Sequence, residues 1–241
     1  MREVTAPGPH GPHGLHVAAF DFDGTLTRGD TLLPFLAAGL GWPRFAWALL
    51  RTSPWLVGHA LRLVRNDVAK ARLFAACLSG LPTDVAAQWA ERWAREQLPR
   101  QLRGAQDPVM LQLAWHRARG HCCVMVSASP DIYLERAAAA LGLDGLVCTQ
   151  MEKERVPEGP SSVGRERLTG RMRSPNCHGQ QKVIRLQAWL AERHDASTLA
   201  GMTLYAYGDT AGDKPMLKLA QHAWYRGKPM NPGDGFLPSQ E

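Results

Sequence analysis

The sequence predicts an α/β protein: a doubly wound, Rossmann-like parallel sheet core carrying an inserted α-helical domain. Three observations predict it. Short apolar runs recur at 16–23, 121–129, 145–150 and 202–209, mostly without strict alternation, as strands covered on both faces require. Helical patterns stand between the later runs, and strand–helix–strand order implies right-handed crossovers within one sheet. Residues 31–104 show no strand pattern. They are rich in Leu, Ala, Trp and Arg, with Pro34, Pro43, Pro54, Pro82 and Pro99 as punctuation, so they read as an insert of about four helices placed straight after the first strand.

Residues 1–16, "MREVTAPGPHGPHGLH", lack the apolar centre of a signal peptide and are broken by Pro and Gly, so a disordered tail is expected. His10, His13 and His16 have no rigid frame there to hold a metal. "HVAAFDFD" (16–23) is the first buried strand and "HCCVMVSAS" (121–129) the second. Neighbouring Cys122 and Cys123 must point to opposite faces of that strand. "PDIYLERAAAALG" (130–142) opens after Pro130 and stops on Gly142, which reads as a helix with Ser129 as its cap. "GLVCTQ" (145–150) is the third strand, and the polar stretch 152–172 an excursion, read as a β-hairpin. "GQQKVIRLQAWLAERH" (179–194) places Val183, Leu186 and Leu190 on one helical stripe, "MTLYAYGD" (202–209) is the fourth strand, and "DKPMLKLAQ" (213–221) a shorter helix. The core is therefore expected over 17–30 and 105–228, the insert over 31–104, and a second loose tail over 229–241.

The 241 residues suffice for one large domain or a core with an insert, and 45% hydrophobic with 21% charged residues is ordinary globular composition. The net charge of +6 is scattered, without a run of five basic residues or a nucleic-acid-binding motif, so no nucleic-acid partner is expected. Five cysteines, none spaced C-x-x-C, read as reduced, buried thiols of a cytoplasmic protein rather than a zinc site. His116, His121, His178, His194 and His222 stand alone in sequence and read as surface or core residues, not ligands.

The chemistry gathers at the strand ends. Asp21 and Asp23 leave the first strand two residues apart and the chain turns at once through Gly24 and Thr25. In open α/β sheets the carboxyl ends of the strands are where ligands bind. Two carboxylates on such a turn suit a hard divalent cation such as Mg²⁺, and "YGDTAGD" at the end of the fourth strand supplies Asp209 and Asp213 to complete the set. A phosphate held there still needs donors, for which Lys182 and the Ser127 hydroxyl are placed. Asp213 could alternatively cap the helix that follows it.

"DFDGTLT", "SAS", a lone lysine and "GDTAGD", in that order, resemble the four motifs of the haloacid dehalogenase superfamily of phosphohydrolases. The helical insert resembles its cap domain, and "LTGRM" followed by "PNCHGQQKV" is similar to the phosphoserine-phosphatase-like branch. The resemblance covers about residues 17–227. It implies that Asp21 attacks phosphorus and becomes an aspartyl phosphate. Asp23 would protonate the leaving alcohol and then take a proton from the hydrolytic water. Mg²⁺ would be held by Asp21, the main-chain carbonyl of Asp23, and Asp209. Ser127 and Lys182 would bind phosphoryl oxygens, with Thr25 assisting at the turn, and Asp213 would support the metal shell or Lys182. A proton donor two residues beyond the nucleophile favours ester hydrolysis over dehalogenation.

The expected partner is a small, soluble phosphorylated metabolite, phosphoserine-like or histidinol-phosphate-like. In phosphoserine phosphatases an acidic residue after the first motif holds the substrate amine and a cap arginine its carboxylate. Asp30 stands near the acidic position, but the arginine position falls near Phe74, with Arg72 two residues off and so on the wrong helical face. "LLPFLAAGLGWPRFAWALLRTSPWLVGHALRLVR" (32–65) is expected to be core, with Trp42, Trp47 and Trp55 buried between helices. Its alternative is a basic, tryptophan-bearing face on a membrane surface. The protein would then be membrane-associated and act on a phospholipid, as a similar phosphatidylglycerophosphate phosphatase of this branch does. A third alternative is a catalytically inactive phosphate-binding regulator.

Overall fold

The computed structural model describes residues 14–156 and 165–230. Strand β1 (His16–Phe20) is followed by five helices: α1 (Leu32–Leu40), α2 (Trp42–Ala60), α3 (Asn66–Leu78), α4 (Thr83–Glu96) and the single turn α5 (Leu98–Gln101). The core resumes with α6 (Pro108–Ala118), β2 (Cys122–Pro130), α7 (Asp131–Leu141) and β3 (Gly145–Thr149). A hairpin, β4 (Met151–Arg155) and β5 (Glu166–Met172), leads to α8 (Gln180–Ala191) and α9 (Ala196–Ala200). Strand β6 (Thr203–Gly208), a 3₁₀ turn at Ala211–Asp213, α10 (Lys214–Leu219), β7 (His222–Tyr225) and β8 (Lys228–Pro229) complete the described chain.

The main sheet runs β3-β2-β1-β6-β7-β8, all parallel except the terminal β8. Alternate residues of its central strands enter two separate cores. Ala18, Phe20, Cys123, Met125 and Tyr207 pack on one face, and Val17, Ala19, Cys122, Val124 and Ala206 on the other. Burial on both faces explains why these strands lack polar alternation. All five cysteines are free and buried. The chain moves from β1 outward to β2 and β3, then returns to the other side of β1 with β6. That reversal puts a crevice at the carboxyl ends of β1 and β6.

Several expectations change. The chain is ordered before residue 17: Leu15 is buried and His16 begins β1, because both extend the first strand into the core. Residues 1–13, with His10 and His13, and most of the expected C-terminal tail (231–241) lie outside the described residues, as do 157–164. Pro229 lies within β8, where a strand edge tolerates a residue without an N–H. Ser129 does not cap α7, whose first turn has no side-chain cap. The histidines do not stand alone: His16 stacks on His121 with centroids 4.6 Å apart, and His116 lies 2.7 Å from His121 between ring nitrogens. The largest difference is in α2. Trp42 and Trp47 are 74% and 61% exposed, and only Trp55 is half-buried. The helix buries Phe45, Ala48 and Thr52 and turns the other stripe outward.

Candidate active site

Asp21 follows the last residue of β1, and its N–H still donates to the Tyr207 carbonyl of β6 at 2.9 Å. The carboxyl group therefore stands on a sheet continuation rather than a free loop. Beyond it the chain coils tightly: the N–H groups of Thr25, Leu26 and Thr27 all converge on the Phe22 carbonyl, at 3.0–3.2 Å. Gly24 takes a φ of 83°, and a Cβ there would collide with the Asp209 carboxylate, so the turn needs glycine. Arg103, just after the cap helices, donates to the Gly24 carbonyl and pairs with Asp107 at 3.1 Å, which braces the turn from below.

Three carboxylates converge here. Oxygens of Asp21, Asp209 and Asp213 lie within 4.8 Å of one another. Lys182, in the first turn of α8, donates to Asp21 at 2.5 Å, Asp213 at 2.6 Å and the Val126 carbonyl at 2.8 Å. Its ammonium is fully enclosed. Burial opposes that charge, but Asp21 and Asp213 outweigh it and hold Lys182 protonated. Asp213 has its other oxygen on the Asp209 and Thr210 N–H groups and the Thr210 hydroxyl. Burial works against its ionisation too, yet Lys182 and Thr210 keep its pKa below the usual carboxylate range. Both readings of Asp213 thus hold in one residue: it closes a capping box with Thr210 and anchors the lysine.

Thr25 sits between Asp21 and Asp209, its hydroxyl 3.1 Å from each. It orients the two carboxylates rather than presenting a free hydroxyl to a phosphate. Burial pushes the Asp21 carboxyl up to about 7 despite Lys182, and raises Asp209 as well. The Asp213 charge adds to both shifts behind burial, and three carboxylates here face one lysine. An all-oxygen set with surplus negative charge fits a hard divalent cation, which Asp21 and Asp209 could hold while Asp213 is engaged by Lys182 and Thr210.

Asp23 points elsewhere. Its carboxylate accepts from the Thr31 N–H (2.8 Å), the Thr31 hydroxyl (2.7 Å) and the Ser129 hydroxyl (2.6 Å). Burial, then the nearby Asp30 charge, raises its pKa against those three donors. A carboxyl group so raised and rigidly aimed can both give and take a proton. Ser127 is buried at the end of β2, its hydroxyl oxygen accepting from the Ser129 N–H at 3.1 Å. Asp30 is exposed and accepts from the Leu32 and Leu33 N–H groups, so it caps α1.

Sequence reasoning missed four contributors: Thr31, Ser129, Lys70 and Asn176. Lys70, on α3 of the cap, donates to the Ala128 carbonyl at 3.0 Å; burial lowers its pKa, with Asp23 and Asp30 pulling it back up. Asn66 at the start of α3 accepts from Asn176 of the core loop at 3.2 Å. Lys70 had a legible signal: it lies four residues before Phe74, hence on the same helical face as the expected cap cation. Arg72 instead turns away, its guanidinium 5.1 Å from the Trp55 ring centroid.

The haloacid dehalogenase-like hydrolase family model matches residues 18–218. The chain belongs to this family. It is 35% identical over 220 residues to the protein CicA of Caulobacter vibrioides, spanning 90% of each chain. Among solved structures, a protein of unknown function from Bordetella pertussis Tohama I superposes with a TM-score of 0.70 at 23% identity, covering 87% of this chain and 89% of that one. A substrate-bound phosphoserine phosphatase superposes with a TM-score of 0.56 at 17% identity, covering 88% and 85%. At these identities the two structures establish the shared Rossmann-like fold.

Proposed function

We propose that the chain is a Mg²⁺-dependent phosphomonoester hydrolase that works through an aspartyl phosphate on Asp21. One observation carries the reading: Asp21, with Lys182 and Asp209 beside it, is followed two residues later by a second, half-buried carboxyl, Asp23, fixed by three donors and raised in pKa. A phosphate-binding regulator has no use for that second group.

Asp21 and Asp209 would hold the cation together with the main-chain carbonyl of Asp23. Mg²⁺, when bound, supplies charge neutralisation at the phosphoryl oxygens. An Asp21 oxygen attacks phosphorus as the ester P–O bond breaks, and Asp23 gives its proton to the departing alkoxide. Water then attacks the phosphoryl group, Asp23 takes the water proton, and the Asp21–phosphorus bond breaks to release phosphate. Lys182 and Ser127 face the phosphoryl oxygens, and Thr25 keeps Asp21 and Asp209 in register.

The substrate is read as a small phosphomonoester whose far end meets Lys70. A second reading, a phospholipid phosphomonoester, draws on the exposure of Trp42 and Trp47. The test is phosphate release by purified protein from a panel of soluble and lipid phosphomonoesters. Release should require Mg²⁺ and stop in excess chelator. Asp21→Asn, nearly isosteric, should fold normally and lose about 10³-fold or more in turnover. Turnover that persists in chelator, or in Asp21→Asn, would overturn the mechanism.

A further inference from the structure

Helix α2 carries two apolar stripes where a helix packed on one side needs one. Phe45, Ala48 and Thr52 form the buried stripe. On the opposite side Pro43, Trp47, Leu50, Pro54, Val57 and Leu61 succeed one another at steps of four and three, and every one is exposed. At about 100° per residue these six fall within one narrow arc. Trp42 begins the helix beside them, and Leu63 extends the apolar surface past its end, exposed to 80%. Among the described residues nothing covers this stripe.

The charge beside the stripe has a single sign. No Asp or Glu occurs between Asp30 and Asp67, while Arg44, Arg51, Arg62 and Arg65 do. Arg44 and Arg51, seven residues apart, run along one flank of the apolar arc. That flank opens into a cleft between α2 and α3 of about 680 Å³, lined by Arg44, Trp47, Arg51, Trp55 and Arg72. Arg72 packs over Trp55 there.

We propose that this face of the cap docks on an anionic lipid bilayer surface, with the α2 stripe in the interfacial layer and Arg44, Arg51 and Arg72 meeting headgroup phosphates. Two features favour that occupant. Pairing this face with itself in a second copy would bring arginine rows together with no carboxylate between them. An anionic bilayer offers both what the stripe lacks, an apolar layer, and what the arginines lack, negative charge. The helix lies on the surface rather than through it, since no helix among the described residues is long and apolar enough to cross a membrane.

Binding needs no turnover at Asp21, so its outcome and that of the proposed chemistry are separable. The experiment is co-sedimentation of the full chain with large vesicles of phosphatidylcholine, alone or with a third phosphatidylglycerol. Pelleting is expected with the anionic vesicles and much less with the neutral ones, and it should fall in high salt as the arginine attraction is screened. Arg44→Gln and Arg51→Gln should each weaken binding roughly fivefold. The double variant Trp47→Glu, Leu50→Glu alters only exposed positions. It should keep its circular dichroism and its phosphate release from soluble substrate while losing vesicle binding. The proposal fails if anionic vesicles pellet no more protein than neutral ones, or if the double variant binds as wild type. It also fails if sedimentation velocity shows that the stripe is consumed in a dimer that the double variant dissolves.

Discussion

Lys70 belongs to the cap yet hydrogen-bonds the core at Ala128, across the mouth of the site. A half-buried lysine with Asp23 and Asp30 in its field is suited to orient an anionic group at the far end of a substrate, not to touch phosphorus. Lys70→Met should therefore raise KM about tenfold, worth roughly 1.4 kcal/mol, for substrates with a second anionic group. The kcat should change little, and substrates lacking that group should be unaffected. Steady-state kinetics on such a pair checks it, and a fall in kcat with KM unchanged would refute the role. Asp21, Asp23, Asp209 and Lys182 were legible in sequence because each sits at the end of an apolar run or the start of a helix, where local pattern places it. Thr31 and Ser129 were not, because their partners are fixed by how the cap closes over the sheet. Tertiary approach of that kind leaves no periodic trace.

The hairpin of β4 and β5 joins core to cap, with its tightest approach at Gly170. Gly170, with φ at 76°, lies against α3, where an added Cβ would meet the Ala75 Cα at 2.9 Å and the Phe74 carbonyl at 3.1 Å. Both obstacles are backbone and cannot rotate aside. The Gly80 N–H donates to the Leu168 carbonyl and the Leu168 N–H to the Leu81 carbonyl, so the hairpin is stitched to the loop after α3. Gly170→Ala should cost about 1–3 kcal/mol, seen as a lower urea midpoint at unchanged slope; an unchanged midpoint would mean the contact carries no such constraint. At this scale the sequence reading succeeded where one signal ruled. Long apolar runs located β1, β2, β3 and β6. It failed at β7 and β8, four and two residues long, which carry too little pattern to register. It also chose the wrong interior for α2. Periodicity detects a stripe but cannot say which of two stripes faces inward, and both are apolar there.

Where His16 begins β1 and His121 precedes β2, the molecule holds a second titratable cluster, which His116 of α6 completes. His116 is fully buried, its Nε2 2.8 Å from the Tyr207 hydroxyl and its Nδ1 2.7 Å from His121. His16 stacks on His121. Burial, then the charges of His121, His16 and Arg119, lowers His116 from 6.5 to about 3, and His121 is lowered by burial, His16 and Arg119. Unfolded, these rings titrate near 6.5, so between the two values the unfolded chain binds more protons. The stability tied to His116 is therefore complete above its unfolded pKa and drains away as pH falls. Between pH 7 and pH 5 the loss should be about 1–2 kcal/mol. Asp21, raised to about 7 by burial, acts in the opposite sense over the same interval, so the total slope does not isolate the histidine. A difference does. In His116→Phe the Tyr207 hydroxyl keeps its contact with Gln112 at 3.3 Å, and the Asp21 contribution is the same in both proteins. Urea unfolding at pH 7, 6 and 5 should show wild type losing about 1–2 kcal/mol more than His116→Phe. Parallel curves for the two proteins would mean that His116 protonates as readily folded as unfolded, which its enclosure between Phe20, Tyr205 and Tyr207 forbids.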